Sequence, residues 1–123
     1  MAAGSDDDFQ KELIDLFVQE AQEWLQNIHV ALDELQQSPA PERHAKLIGT
    51  ITAGVTNLGG SAATLNLSDV EHASFAAIPF VEALHDPQKS FSVQDFLSLC
   101  QQLGRIHTSL TQATGISFEE NGN

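Results

Sequence analysis

The stretch LIGTITAGVTNLGGSAATLNLS, residues 47–68, contains no charged residue, although Lys46 and Asp69 bound it. At about 100° per residue, Ile48, Ile51, Val55, Leu58, Ala62 and Leu65 recur at alternating steps of three and four. That spacing predicts a helix with one narrow apolar stripe, the seam by which a helix joins a bundle. Gly49, Thr52, Thr56, Gly59, Gly60 and Ala63 cluster on the far side of the wheel. All are small and none is charged, where a solvated face would carry Lys and Glu. Such a face lets another surface approach the backbone closely. That surface is either a docking partner, another helix of the same protein, or a second copy.

Outward from this stretch, the chain reads as one domain. Its 123 residues suffice for a single modest core. No apolar run approaches the ~18 residues of a membrane span, and no secretory signal is visible. The single Cys100 excludes an internal disulfide and a cysteine metal cage, and fits a reducing, cytoplasmic setting. A net charge of -12 with five Lys and Arg argues against nucleic acid and membranes and favours partners with a basic face.

The first helix is expected from about Asp6 to Gln37, after a flexible leader, residues 1–5. Asp6, Asp7 and Asp8 suit a helix N-terminus. Leu13, Phe17, Trp24, Ile28, Ala31 and Leu35 form its stripe, widened by Leu16, Leu25 and Leu32. Ser38-Pro39-Ala40-Pro41 ends it in a short turn. The second helix runs from near Glu42 to near Leu65. Asn66 then stands at the position beyond the helix that takes a left-handed backbone. Ser68 and Glu71 have the spacing of a capping box. The third helix turns Val70, Ala73, Ala77, Val81 and Leu84 inward. Pro79 cannot donate to the Phe75 carbonyl, so a kink or break is expected near Ile78. Asp86 to Lys89 is a turn. Ser90 or Ser92 caps a last helix from Val93 to Thr114, with Val93, Phe96, Leu97, Cys100, Leu103, His107 and Leu110 as its stripe. Gly115 ends it, and residues 116–123 are a tail. The pattern is all-α: an antiparallel up-down four-helix bundle over residues 6–115.

The segment Thr56-Asn57-Leu58-Gly59-Gly60-Ser61-Ala62-Ala63-Thr64-Leu65-Asn66-Leu67 resembles the signature helix of histidine-containing phosphotransfer (HPt) domains, in particular the N-terminal domain of chemotaxis-type histidine kinases. That signature reads roughly His-Thr-Leu-Lys-Gly-Ser-Ala-x-x-Leu-Gly-Leu. Leu58, Gly60, Ser61, Ala62, Leu65 and Leu67 match it. Glu12-Leu13, Phe17, Glu20-Ala21 and Leu25 are similar to the family's opening helix. The resemblance covers about residues 9–85; the last helix fits by pattern only. It implies an HPt-like bundle in a two-component phosphorelay, with the receiver domain of a response regulator or a histidine kinase as partner and no cofactor.

Two departures bear on chemistry. Thr56 occupies the place of the phosphorylated histidine, and Gly59 the place of the lysine one turn later. Neutral imidazole is nucleophilic near pH 7 and forms a P–N bond that passes its phosphoryl group on. A threonine hydroxyl needs a general base, and its ester is too stable to return to an aspartate. The expectation is a degenerate, non-catalytic phosphotransfer domain. Its partner-binding residues are Thr52, Thr56, Gly59, Gly60 and Ala63. Gly60 matches the family glycine beside the acceptor, where a side chain would block a receiver.

Two alternatives remain at this stage. His72 on the third helix would serve as a relocated acceptor if it faced the same groove. Or the chain is a structural or dimerising bundle, monomer or weak dimer in solution. His107 falls on an apolar stripe and reads as a hydrogen-bonded core histidine, while His29, His44 and His85 show no partner spacing. Only Glu82-x-x-His85 has di-metal bundle spacing, so no metal site is expected.

Overall fold

The computed structural model describes residues 2–85 and 92–116, with side chains from residue 8 onward. The expected turn at Asp86 to Lys89, the Ser90 cap and the tail beyond Ile116 lie outside the described residues. So do the side chains of Asp6 and Asp7.

Among the described residues the fold is all-helical, with no strand. Its elements are α1 (Ala2–Leu35), α2 (Pro41–Thr64), α3 (Ser68–Ala76), α4 (Ile78–Glu82) and α5 (Val93–Thr114). No described helix is long and apolar enough to cross a membrane. α1 packs on α2, α2 on α3, and α3 on α5, while α4 lies against both α2 and α5.

α1 begins at Ala2, ahead of the expected Asp6, because alanine prolongs a helix at no side-chain cost. At 34 residues it is about 51 Å long. Phe17, Val18, Ala21, Leu25, Ile28, Ala31, Leu32 and Leu35 are buried, and Leu13 and Trp24 half-buried. Leu16, expected to widen the stripe, is 54% exposed. The burial of Val18 shows why. The stripe is centred between Phe17 and Val18, and Leu16 lies on the other side of Phe17.

The α1–α2 turn is held by backbone and charge. Ser38 takes a positive φ of 54°, and Pro41 opens α2, where its missing N–H costs nothing. Arg43 clasps Glu34 across the turn through Nε and Nη2, the latter at 2.7 Å. These hydrogen bonds hold the Glu34 carboxyl below its usual range and raise Arg43.

α2 is the central element. Ile48, Ile51, Val55, Leu58 and Ala62 are buried, as the spacing predicts, and Leu65 is half-buried. Gly54 lies in the seam with α1: an added Cβ would stand 2.7 Å from Cδ1 and Cγ1 of Ile28. α2 ends in a Schellman turn. Leu67 N–H donates to Ala62 O at 2.8 Å and Asn66 N–H to Ala63 O at 3.1 Å, with Asn66 at φ 62°.

The expected capping box at Ser68 does not form. Ser68 is the first residue of α3, the N-cap is Leu67, and no side chain caps it. The Schellman turn has set the chain direction one residue earlier: Leu67 O already accepts from Glu71 N at 3.0 Å. Ala77 separates α3 from α4, and Pro79 stands in the first turn of α4. The Pro79 nitrogen has no hydrogen to give Phe75 O, and Phe80 and Val81 donate instead to Ala77 O at 3.0 Å. Val70, Ala77, Val81 and Leu84 are buried as expected; Ala73 is half-buried and Ser74 fully buried.

α5 starts at Ser92, whose Oγ accepts from Asp95 N at 3.1 Å, and ends at Gly115 with φ 73°. Its inward face differs from the expected one. Leu99 and Ile106 are fully buried beside Phe96, Leu103, His107 and Leu110, while Val93 and Leu97 are 63% and 55% exposed. Contact with α3 rotates the helix this way: Gln102 is buried and donates through Nε2 to Ala73 O at 3.0 Å.

Candidate docking site

The small face of α2 is divided in the fold. Thr52 and Thr56 line an open groove of about 750 Å³ between α2 and α4. Ile48, Gly49 and Ala53 from α2 complete one wall, and Ile78 and Val81 from α4 the other, with Glu82 and His85 at the rim. Thr52 is half-buried and Thr56 exposed. A Cβ added at Gly49 meets nothing within 4 Å, so the backbone there is open to an approaching surface. α4, with Pro79 in its first turn, supplies the second wall. His44 ties its far end to α2, its Nε2 lying 2.7 Å from Leu84 O; the carbonyl can only accept, so Nε2 donates.

Gly59 leaves the expected set. It is buried, and a Cβ there would meet the Phe75 ring at 2.8 Å. Its small size serves an internal contact between α2 and α3. Gly60 is exposed with nothing within 4 Å of an added Cβ, and Ala63 is half-buried; neither lines the groove. Two of the five expected residues are therefore together in the groove, two lie on the helix beyond it, and one is packed away.

His72 is exposed on α3 and is not a groove residue. The histidine that does line the groove is His85. His107 is buried, its Nε2 3.2 Å from His29 Nε2, in keeping with a hydrogen-bonded core histidine. Sequence reasoning missed Ile78, Val81, Glu82 and His85 as groove residues. The available signal was Pro79, which stands in the first turn of α4, the short helix that lies against α2. No group of three or more metal-ligating side chains converges among the described residues.

The groove's lining combines aliphatic side chains with the hydroxyls of Thr52 and Thr56, the Asn57 carboxamide, the Glu82 carboxylate and the His85 imidazole. Scans against protein-family models, curated proteins and solved structures each returned no match.

Proposed function

We propose that the chain is a degenerate HPt-like module of two-component signalling. It docks the receiver domain of a response regulator, or a histidine kinase domain, in the groove between α2 and α4, and does not carry a phosphoryl group. The reading includes an up-down antiparallel bundle, a bend at Pro79 and a cytoplasmic setting. The observation that carries it is the position of Thr56. The residue at the place of the family's acceptor lines an open groove with Gly49, Ala53 and the aliphatic side chains of Ile48, Ile78 and Val81. Thr56 lacks the imidazole of an acceptor, and Gly59, buried under Phe75, brings no cation to hold phosphoryl oxygens. Docking without transfer uses what remains.

The test uses purified receiver domains and a kinase domain as probes, with a working HPt domain as control. Thr56→Trp fills the groove from an exposed position. It is expected to weaken receiver binding at least tenfold while leaving the melting temperature within about 2 °C, since exposed substitutions change stability little. Gly60→Arg tests the helix beyond the groove. Unchanged affinity in both variants sinks the docking reading. Acid-labile phosphate on this chain, lost in His72→Gln or His85→Gln, would instead show an active relay.

A further inference from the structure

His29 of α1 and His107 of α5 are 78 residues apart in sequence and meet tip to tip. Their Nε2 atoms are 3.2 Å apart and their ring centroids 5.4 Å. His107 is 5% exposed, and His29 half-buried. We propose that this pair is a proton-operated latch on the α1–α5 seam, closed near neutral pH and released on acidification.

The number of hydrogens on the two rings decides whether the pair can stay closed. Two facing imidazole nitrogens at this distance need one hydrogen between them: one Nε2–H donates and the other Nε2 offers its lone pair. A first added proton leaves that arrangement possible, because an imidazolium still donates to a neutral ring. A second does not. Both Nε2 atoms then carry hydrogen, no lone pair is left between them, and two like charges face each other in a poorly solvated seam. Separated imidazoles each take up a proton below about pH 6.5. The open state therefore binds more protons than the closed one. The latch contributes fully above that range and is lost as pH falls through it.

The seam is built so that the pair matters. α1 packs chiefly on α2, and α5 on α3 and α4. Between α1 and α5 lies a cavity of about 200 Å³ lined by His29, Leu32, Asp33, Phe96, Cys100 and Leu103. Among the described residues, the ionisable side chains that line this cavity with His29 are Asp33, one turn beyond it on α1, and Cys100 on α5. Among the described residues the buried positions of α2, α3 and α4 hold no ionisable group.

The test compares urea unfolding of the wild-type chain and His29→Gln from pH 8 to pH 5. A glutamine amide can give or accept a hydrogen at His107 Nε2 and takes up no proton. The wild-type unfolding constant is expected to rise, relative to the variant, by up to tenfold per pH unit below about pH 6.5. Asp33→Asn is expected to keep the wild-type slope. Parallel curves for wild type and His29→Gln overturn the latch. So does loss of the slope in Asp33→Asn, which would assign the proton to a His–Asp pair. Imidazole nitrogen NMR on the wild type gives a readout independent of any variant. Loss of α1–α5 contacts as the second ring protonates supports the latch; both rings protonated at pH 5 with those contacts intact refutes it.

Discussion

A methyl group added at Gly54 and one added at Gly60 meet opposite surroundings on the same helix. At Gly54 it would press into Ile28, which is itself fully buried and has nowhere to go. Overpacking of this kind costs about 1–3 kcal/mol, against a gain of about 1 kcal/mol in helix propensity. Gly54→Ala is therefore expected to destabilise the protein by about 1 kcal/mol. At Gly60 the methyl meets nothing, so Gly60→Ala is expected to stabilise by about 0.5–1 kcal/mol. Urea denaturation reads both. A stabilising Gly54→Ala would mean that α1 and α2 are not in close contact there. Gly59 lies between these cases. Its neighbour is the Phe75 ring, which is 40% exposed and free to yield on its outer side. The three glycines look alike in the sequence. Only the partner opposite each one separates a packing glycine from an open one, and that partner is on another helix.

The same limit governs the elements. α2 was legible because its apolar period runs unbroken over its length and its end is marked by Asn66, which takes the left-handed conformation that few residues accept. α5 was legible in extent, since Ser92 and Gly115 bracket it. Removing the first of these brackets is expected to show in stability. Ser92→Ala deletes the acceptor for Asp95 N and should cost about 1 kcal/mol, read as a lower urea midpoint at unchanged slope. An unchanged midpoint would mean that solvent caps the helix equally well. The face of α5 was not legible. Val93, Leu97 and Cys100 offer one apolar stripe, and Leu99, Leu103, Ile106 and Leu110 another, overlapping it. The choice rests on contact with α3, where Gln102 is buried by a hydrogen bond to a backbone carbonyl. Half of the groove was hidden for a related reason. Thr52 and Thr56 announce themselves on α2. α4 is five residues long, too short to show a period, and its placement follows from where the chain goes after Pro79.

Charge is a property of the whole molecule, and here it is unevenly spread. Asp6, Asp7, Asp8, Glu12, Asp15, Glu20, Glu23, Asp33 and Glu34 place nine of the seventeen acidic residues on α1, with Lys11 its only Lys or Arg. Asp8 and Glu12, and likewise Glu20 and Glu23, are like-charge neighbours at helical spacing, and such pairs destabilise a helix by a few tenths of a kcal/mol each. Compacting a chain of charge -12 adds repulsion over the whole surface. The described residues offer one ion pair in compensation, Arg43 with Glu34, and it is solvent-exposed. Repulsion thus outweighs attraction, and salt shortens its reach from about 30 Å at 0.01 M to about 3 Å at 1 M. Raising NaCl from 10 mM to 0.5 M is expected to stabilise the fold by about 1 kcal/mol, or about 4 °C in melting temperature for a chain of this size. The triple variant Asp8→Asn, Glu12→Gln, Asp15→Asn should melt higher at low salt and respond less to added salt. A partner attracted by the same field is expected to respond with the opposite sign, its association slowing as salt rises. The two salt series together separate the roles of the charge. If the melting temperature falls with salt, the net repulsion does not govern stability. If receiver association is insensitive to salt while stability still rises, the charge on α1 acts on the fold and not on the encounter.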